Sequence, residues 1–278
     1  MPIADNNGVN LHYQDLGEGE KAVVFINGLG LSGRFWFKLP QQLLEASNHN
    51  LRILCIDNRG SGRSSAPFKP YGMHHMADDL AAMLKHAGID KAVLVGLSMG
   101  GMIAQHCAIR HPEKTAGLVL IATSAGLPHA RIPHMATLKK LAELPFIARE
   151  EARKSLSELL LPKAEQNNFE KHLGGWAGVM REEKPRPHSF LLHLGAVATH
   201  YTGQKLQGIH CPTAIMTGDE DILVPPINSE LLKARLPHAQ LKELPGVGHA
   251  VEALAPEDII ASIQDVLNEA SLKNHLLA

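Results

Sequence analysis

The sequence predicts an α/β fold: a mostly parallel central sheet flanked by helices, with a helical cap inserted late in the chain. Short β-type runs alternate with helical segments over the first 126 residues, and this pattern implies crossover connections between parallel strands. Between about residues 127 and 206 the β-runs stop, and from 213 onward the alternation resumes. The expected division is therefore a core of 1–126 and 207–278 and a helical lid of 127–206.

Val9 to Leu16 alternates polar and apolar residues as a half-exposed antiparallel strand does. Ala22 to Ile26, Leu51 to Ile56, Ala92 to Leu97 and Gly117 to Ala122 are short, apolar and uncharged apart from Arg52. They suit strands buried on both faces of a parallel sheet. Helices are expected over Arg34 to Ala46, with Pro40 near a boundary, and over His75 to Ala87, whose Met76, Leu80, Met83, Leu84 and Ala87 share a face. Another begins at Ser98 and stops at His111-Pro112. The lid carries helix-like stretches at Met135 to Leu144 and Arg149 to Leu160. The returning core has strands Thr213 to Thr217 and Gln240 to Leu244, and helices near Ile227 to Leu236 and from Pro256 to about Leu272. An insertion that splits an open sheet usually roofs the carboxyl ends of its strands, where ligands bind.

With 278 residues, 27 basic against 28 acidic side chains and a net charge of −1, no charged patch is expected for nucleic acid or for a strongly charged partner. A small, neutral ligand fits better. No window approaches membrane-spanning length, and Met1 to Asp5 has no basic region leading into an apolar stretch, so a cytoplasmic protein is expected. Cys55, Cys107 and Cys211 lack metal or disulfide spacing and read as buried thiols. There are 17 histidines but no H-E-x-x-H, and His74-His75 would diverge on a helix, so neither metal nor cofactor is expected. Nothing in the sequence signals an oligomeric state.

The chemistry is concentrated at Gly96-Leu97-Ser98-Met99-Gly100, where a strand turns abruptly into a helix. The glycines remove side chains that would collide at so sharp a bend, and the serine is left exposed at its tip. The bare pattern arises by chance in roughly one chain of this length in ten, so the flanking strand and helix carry the inference. A serine hydroxyl is a weak nucleophile and needs a base, and the base needs an orienting carboxylate. The glycines of Pro245-Gly246-Val247-Gly248 let a loop bring His249 over the sheet, while Asp219, Glu220 and Asp221 follow another strand end and compete for the acid role. Donors for an oxyanion are expected at the Met99 N–H, which opens a helix, and at the Leu29 N–H in Asn27-Gly28-Leu29-Gly30. Asp57 to Ser64 is glycine-rich and basic but lacks phosphate-loop or dinucleotide spacing. It reads as turn structure, with Arg59 or Arg63 available to contact a carboxylate.

Three motifs together resemble the α/β-hydrolase superfamily, over about residues 8–125 and 207–270: Gly-Leu-Ser-Met-Gly-Gly at 96–101, Gly-x-x-Asp-x-x-Val-Pro at 218–225, and Gly-His at 248–249. Within it, Asn58 to Ser64 and Gly100 to Gln105 are similar to cofactor-free esterases and 3-oxoadipate enol-lactonases. The resemblance implies the α/β-hydrolase fold and a Ser98-Asp221-His249 triad, with Asp221 as the acid by its place in the second motif. It also implies hydrolysis of a small carboxylic ester or lactone through an acyl-enzyme. The family usually opens its oxyanion loop with His-Gly, where this chain has Asn27-Gly28. Two other outcomes share the same residues: a haloperoxidase or perhydrolase that passes the acyl group to peroxide, and a non-catalytic ligand-binding relative. Trp176, Met180, His193 and His200, with His134 behind them, are the lid residues expected to face a substrate pocket.

Overall fold

In the computed structural model, residues 2–183 and 186–277 are described, with side chains described through 272. Residues 184 and 185 of the expected lid, and the two terminal residues of the expected core, lie outside them. Eight strands form one sheet: β1 (Ile3–Asn6), β2 (Val9–Leu16), β3 (Lys21–Ile26), β4 (Leu51–Ile56), β5 (Ala92–Leu97), β6 (Thr115–Ile121), β7 (Thr213–Gly218) and β8 (Gln240–Leu244). Their order is β1-β2-β4-β3-β5-β6-β7-β8. The first two pairings are antiparallel and the other five are parallel.

That order explains where a site can form. The chain steps from β3 outward to β4, crosses back over β3 to β5, and then continues in the opposite direction. The loops leaving β3 and β5 therefore part company at the reversal point, the place where open α/β sheets generally bind ligands. Both loops were singled out in the sequence.

Each face of the sheet is sealed by its own apolar layer. On one side α1 (Leu39–Ala46) and α11 (Pro256–Leu277) contribute Leu43, Ile259 and Ile263 against Val23, Val95 and Val119. On the other, α2 (Met73–His86), α3 (Met99–Arg110) and α9 (Ile227–Lys233) contribute Met76, Leu80, Ile103 and Leu232 against Val24, Leu94 and Leu120. Alternate residues of each central strand thus reach opposite layers, which is why these strands read as unbroken apolar runs.

The insertion holds α4 (Met135–Glu143), α5 (Arg149–Leu160), α6 (Phe169–Leu173), α7 (Trp176–Glu182) and α8 (Pro187–Ala198). A bridge between Gly126 and Tyr201, with the Thr202 N–H donating to the Ala125 carbonyl at 3.0 Å, pins its entry to its exit. A third apolar cluster joins its Leu159, Leu160, Leu161, Phe169 and Trp176 to Phe35 and Ala250 of the core.

Several expectations need correction. β1 was not foreseen, because a four-residue edge strand carries too little periodicity. The helix expected from Arg34 is a 3-10 turn over Gly33–Trp36 followed by α1, since Phe37 takes φ 47° and the helix restarts with Pro40 in its first turn. Cys55 and Cys107 are buried, but Cys211 is only half-buried, as it precedes β7 instead of lying in it. Arg59 is spent internally, its guanidinium paired to both Asp79 oxygens at 2.5 and 2.6 Å. Among the described residues no helix is long and apolar enough to cross a membrane, and no cluster of three or more His, Cys, Asp or Glu is arranged to hold a metal.

Candidate active site

Ser98 links β5 directly to α3, and no loop residue separates them. Its backbone sits at φ 54°, ψ −118°, a conformation costing about 1–3 kcal/mol for a residue with a side chain. The turn survives because its surroundings over-determine it. The Ser98 N–H donates to the Ile121 carbonyl at 2.8 Å, and the Ser98 carbonyl accepts from the Thr123 hydroxyl at 2.8 Å and the Gly101 N–H at 3.0 Å. A Cβ at Gly96 would stand 2.4 Å from the Gly100 carbonyl oxygen, and one at Gly100 would stand 2.0 Å from that of Ile26. Gly100→Ala should therefore destabilise the fold by at least about 1–3 kcal/mol, the usual cost of overpacking, because the obstructing atom is backbone of a central strand. A urea midpoint equal to that of the parent protein would show that β3 can give way.

Gly28 passes beside the nucleophile candidate: a Cβ there would lie 3.4 Å from the Ser98 Cβ and 3.9 Å from its hydroxyl. Asn27 stabilises this loop from within. Its side-chain oxygen accepts from the Gly28 N–H at 2.7 Å, its amide donates to the Ser32 carbonyl at 3.3 Å, and its own carbonyl accepts from Asn58 at 3.2 Å. Among the described residues the N–H groups of Leu29 and Met99 take no hydrogen-bond partner. Met99 opens α3, so its N–H also carries the positive end of the helix dipole.

Of the three acids left open by the residues alone, one meets the histidine. Asp221 is buried, and its Oδ2 lies 2.7 Å from His249 Nδ1. Its other oxygen accepts the Leu223 and Val224 N–H groups, each at 2.8 Å, so the carboxylate cannot rotate freely. Asp219 instead accepts from the Gly246 N–H at 2.7 Å, and Glu220 is exposed. Because a carboxylate only accepts, His249 Nδ1 must carry the proton, which leaves Nε2 with a lone pair. Burial alone would pull the His249 pKa down, but the charge and hydrogen bond of Asp221, with the charge of Glu252, raise it above its ordinary value.

Two glycines let the loop carrying His249 pack closely, Gly218 at the end of β7 and Gly248 in the loop itself. A Cβ at Gly218 would fall 2.1 Å from the Val247 carbonyl oxygen, and one at Gly248 would fall 2.6 Å from that of Leu160. The insertion thus touches the loop directly, and the Ala250 N–H donates to the same Leu160 carbonyl at 3.0 Å. Ser98 follows β5 and His249 follows β8, so both lie at the carboxyl edge of the sheet.

The residues of the insertion expected to face a pocket have these surroundings. Trp176 is buried edge-to-face against Phe35, with ring centroids 4.9 Å apart. His200 uses both ring nitrogens, on the Ser124 carbonyl at 3.0 Å and on His106 at 3.2 Å, and His193 uses both on backbone groups. Met180 packs half-buried against the lid cluster, and His134 caps α4 from the surface. These contacts occupy both ring nitrogens of His193 and of His200. Glu252, one turn beyond His249, was missed. Burial pushes its pKa up to about 7. Its position in the first turn of α10 (Val251–Leu254), immediately after the Gly-His pair, was the available signal.

Comparison with known proteins agrees with this architecture. The sequence model of the family described as "alpha/beta hydrolase fold" matches residues 21–252. A protein of Caulobacter sp. (strain K31), provisionally named carbamate hydrolase RutD, is 28% identical over 89% of this chain and 91% of its own length. The 3-oxoadipate enol-lactonase 2 of Acinetobacter baylyi is 33% identical over 44% of this chain and 45% of its own. The crystal structure of the enol-lactonase from Burkholderia xenovorans LB400 superimposes with a TM-score of 0.80 at 24% identity, covering 96% of this chain and all of that one.

Proposed function

The chain belongs to the alpha/beta hydrolase fold family, and we propose that within it this protein is a serine hydrolase of small carboxylic esters or lactones. The observation that carries the reading is the 2.7 Å contact between His249 Nδ1 and a clamped, buried Asp221, at the sheet edge that also presents the strained Ser98. Ser98 Oγ attacks the carbonyl carbon while His249 Nε2 takes its proton, and Asp221 holds the tautomer and offsets the imidazolium charge. The Leu29 and Met99 N–H groups receive the carbonyl oxygen as it becomes anionic. His249 then returns the proton to the leaving alkoxide, and water, activated by the same imidazole, releases the acid and restores Ser98. In this reading 127–206 acts as the lid over that chemistry and contributes the side of the site facing the leaving group.

A fluorophosphonate probe and a series of p-nitrophenyl esters of increasing chain length test the assignment. Covalent labelling should map to Ser98, and the short esters should turn over fastest. Intact protein that neither labels nor hydrolyses any ester would mark a ligand-binding relative instead. Peracid formed in preference to acid when hydrogen peroxide is added would move the reading to a perhydrolase. A carbamate cleaved in preference to every ester would move it toward the chemistry named for the Caulobacter relative.

A further inference from the structure

His193 belongs to the lid, yet both of its ring nitrogens are engaged by core backbone. Nε2 lies 2.8 Å from the Arg59 carbonyl oxygen, and Nδ1 lies 3.2 Å from the Gly30 nitrogen. A carbonyl oxygen can only accept, so Nε2 carries the ring proton. Nδ1 is then a lone pair, and it accepts the Gly30 N–H. Only this neutral tautomer satisfies both contacts, because an imidazolium would turn a second N–H toward that of Gly30. Burial, which pushes the ring pKa down to about 4, favours the same form.

The ring is also held sterically. It is fully buried, meets Tyr71 edge-on at 5.8 Å between centroids, and leaves no room for a Cβ at Gly60, which would stand 3.0 Å from Nε2. Gly30 is the opposite case. It is exposed and sits at φ +71°, at the end of a short turn in which the Leu31 N–H donates to the Gly28 carbonyl at 3.3 Å. Leu29 lies between those two glycines.

We propose that His193 is a positioning residue through which the lid sets the oxyanion loop: by accepting the Gly30 N–H, it fixes the Leu29–Gly30 peptide and so limits the rotation of the adjoining Gly28–Leu29 peptide, whose N–H is aimed at the reacting oxygen. The inference rests on the reading of Leu29 as an oxyanion donor. It makes the site complete only when the lid is seated, because the anchoring group travels with α8.

His193→Phe keeps the ring volume and the Tyr71 contact but removes both polar contacts, whereas His193→Gln retains one donor and one acceptor. The phenylalanine variant should lose about 10- to 100-fold in kcat on p-nitrophenyl acetate with KM little changed, as expected for a misplaced oxyanion donor. Its affinity for a trifluoromethyl ketone should fall by the same factor as kcat/KM, and glutamine should restore most of both. A folded phenylalanine variant with parental kcat, or one that loses kcat with ketone affinity intact, would overturn the proposal. Two measurements on the parent protein decide it even if the variant does not fold. Nitrogen NMR should show His193 protonated at Nε2, and the Gly30 amide should be protected from hydrogen exchange; a ring protonated at Nδ1, or a freely exchanging Gly30, refutes the anchor. Fluorophosphonate labelling of the same samples separates the two levels, since protein never labelled at Ser98 fails the underlying reading whatever His193 does.

Discussion

Ser98→Ala should lower turnover of a small ester by on the order of 10⁶, the loss seen when a nucleophile is taken from a triad acting as a unit. What remains should resemble the residual acceleration over water that an oxyanion site and binding supply alone. The substitution is clean for a structural reason. Alanine keeps the Cβ, so it inherits the strain of φ 54°, and the hydroxyl it removes makes no hydrogen bond that caps α3. Stability should stay within about 0.5 kcal/mol, as for a change that breaks no structural contact. Ser98→Gly should be equally inactive yet more stable, by up to about 1–3 kcal/mol, because glycine adopts that backbone without strain. The pair of variants separates function from folding: activity is lost in both, while thermal midpoints rise in only one. An alanine variant retaining more than a few per cent of parental kcat, freed of contaminating esterase, would remove Ser98 from the mechanism.

The strain at Ser98 also shows why this part of the molecule was legible in the sequence. A strand that turns into a helix within one residue tolerates few side chains, so Gly96 and Gly100 are required by backbone atoms 2.4 and 2.0 Å from where a Cβ would sit. The loop before His249 was legible for the same cause at Gly248. The central strands announced themselves because they are covered on both faces. By contrast, the roles of Trp176, His193 and His200 depend on which atoms of distant segments they meet, and nothing in local spacing distinguishes an imidazole facing substrate from one bonded to two backbone groups. His193 joins residues 30, 59 and 193, and no window of sequence contains that triangle. The break in the helix at Phe37 was hidden similarly, since the apolar spacing continues across it. The choice of Asp221 over Asp219 and Glu220 came from family likeness; its contacts, two backbone N–H groups on one carboxylate oxygen and His249 Nδ1 on the other, could not be read from local sequence.

That clamp makes Asp221→Asn the sharpest test of the relay. An asparagine oxygen can still accept from Leu223 and Val224, which turns its NH₂ toward His249 Nδ1. Nδ1 must then accept, the ring proton moves to Nε2, and the atom facing the nucleophile becomes a donor unable to take the hydroxyl proton. Loss of about 10⁴ in kcat should follow from the wrong tautomer with the fold intact, while Asp219→Asn, which touches only the Gly246 N–H, should stay within a few-fold. The pH profile adds a second signature. In the proposed mechanism His249 acts as a base only when neutral, so kcat/KM should fall as pH drops through its pKa; because that pKa is raised, the acid limb of the parent protein should lie above pH 6.5. Removing the Asp221 charge deletes the strongest influence favouring the imidazolium and leaves burial opposing it, so the limb of the residual activity should move to lower pH. If Asp221→Asn keeps the parental limb, or if Asp219→Asn causes the larger loss, the carboxylate that orients His249 is a different one.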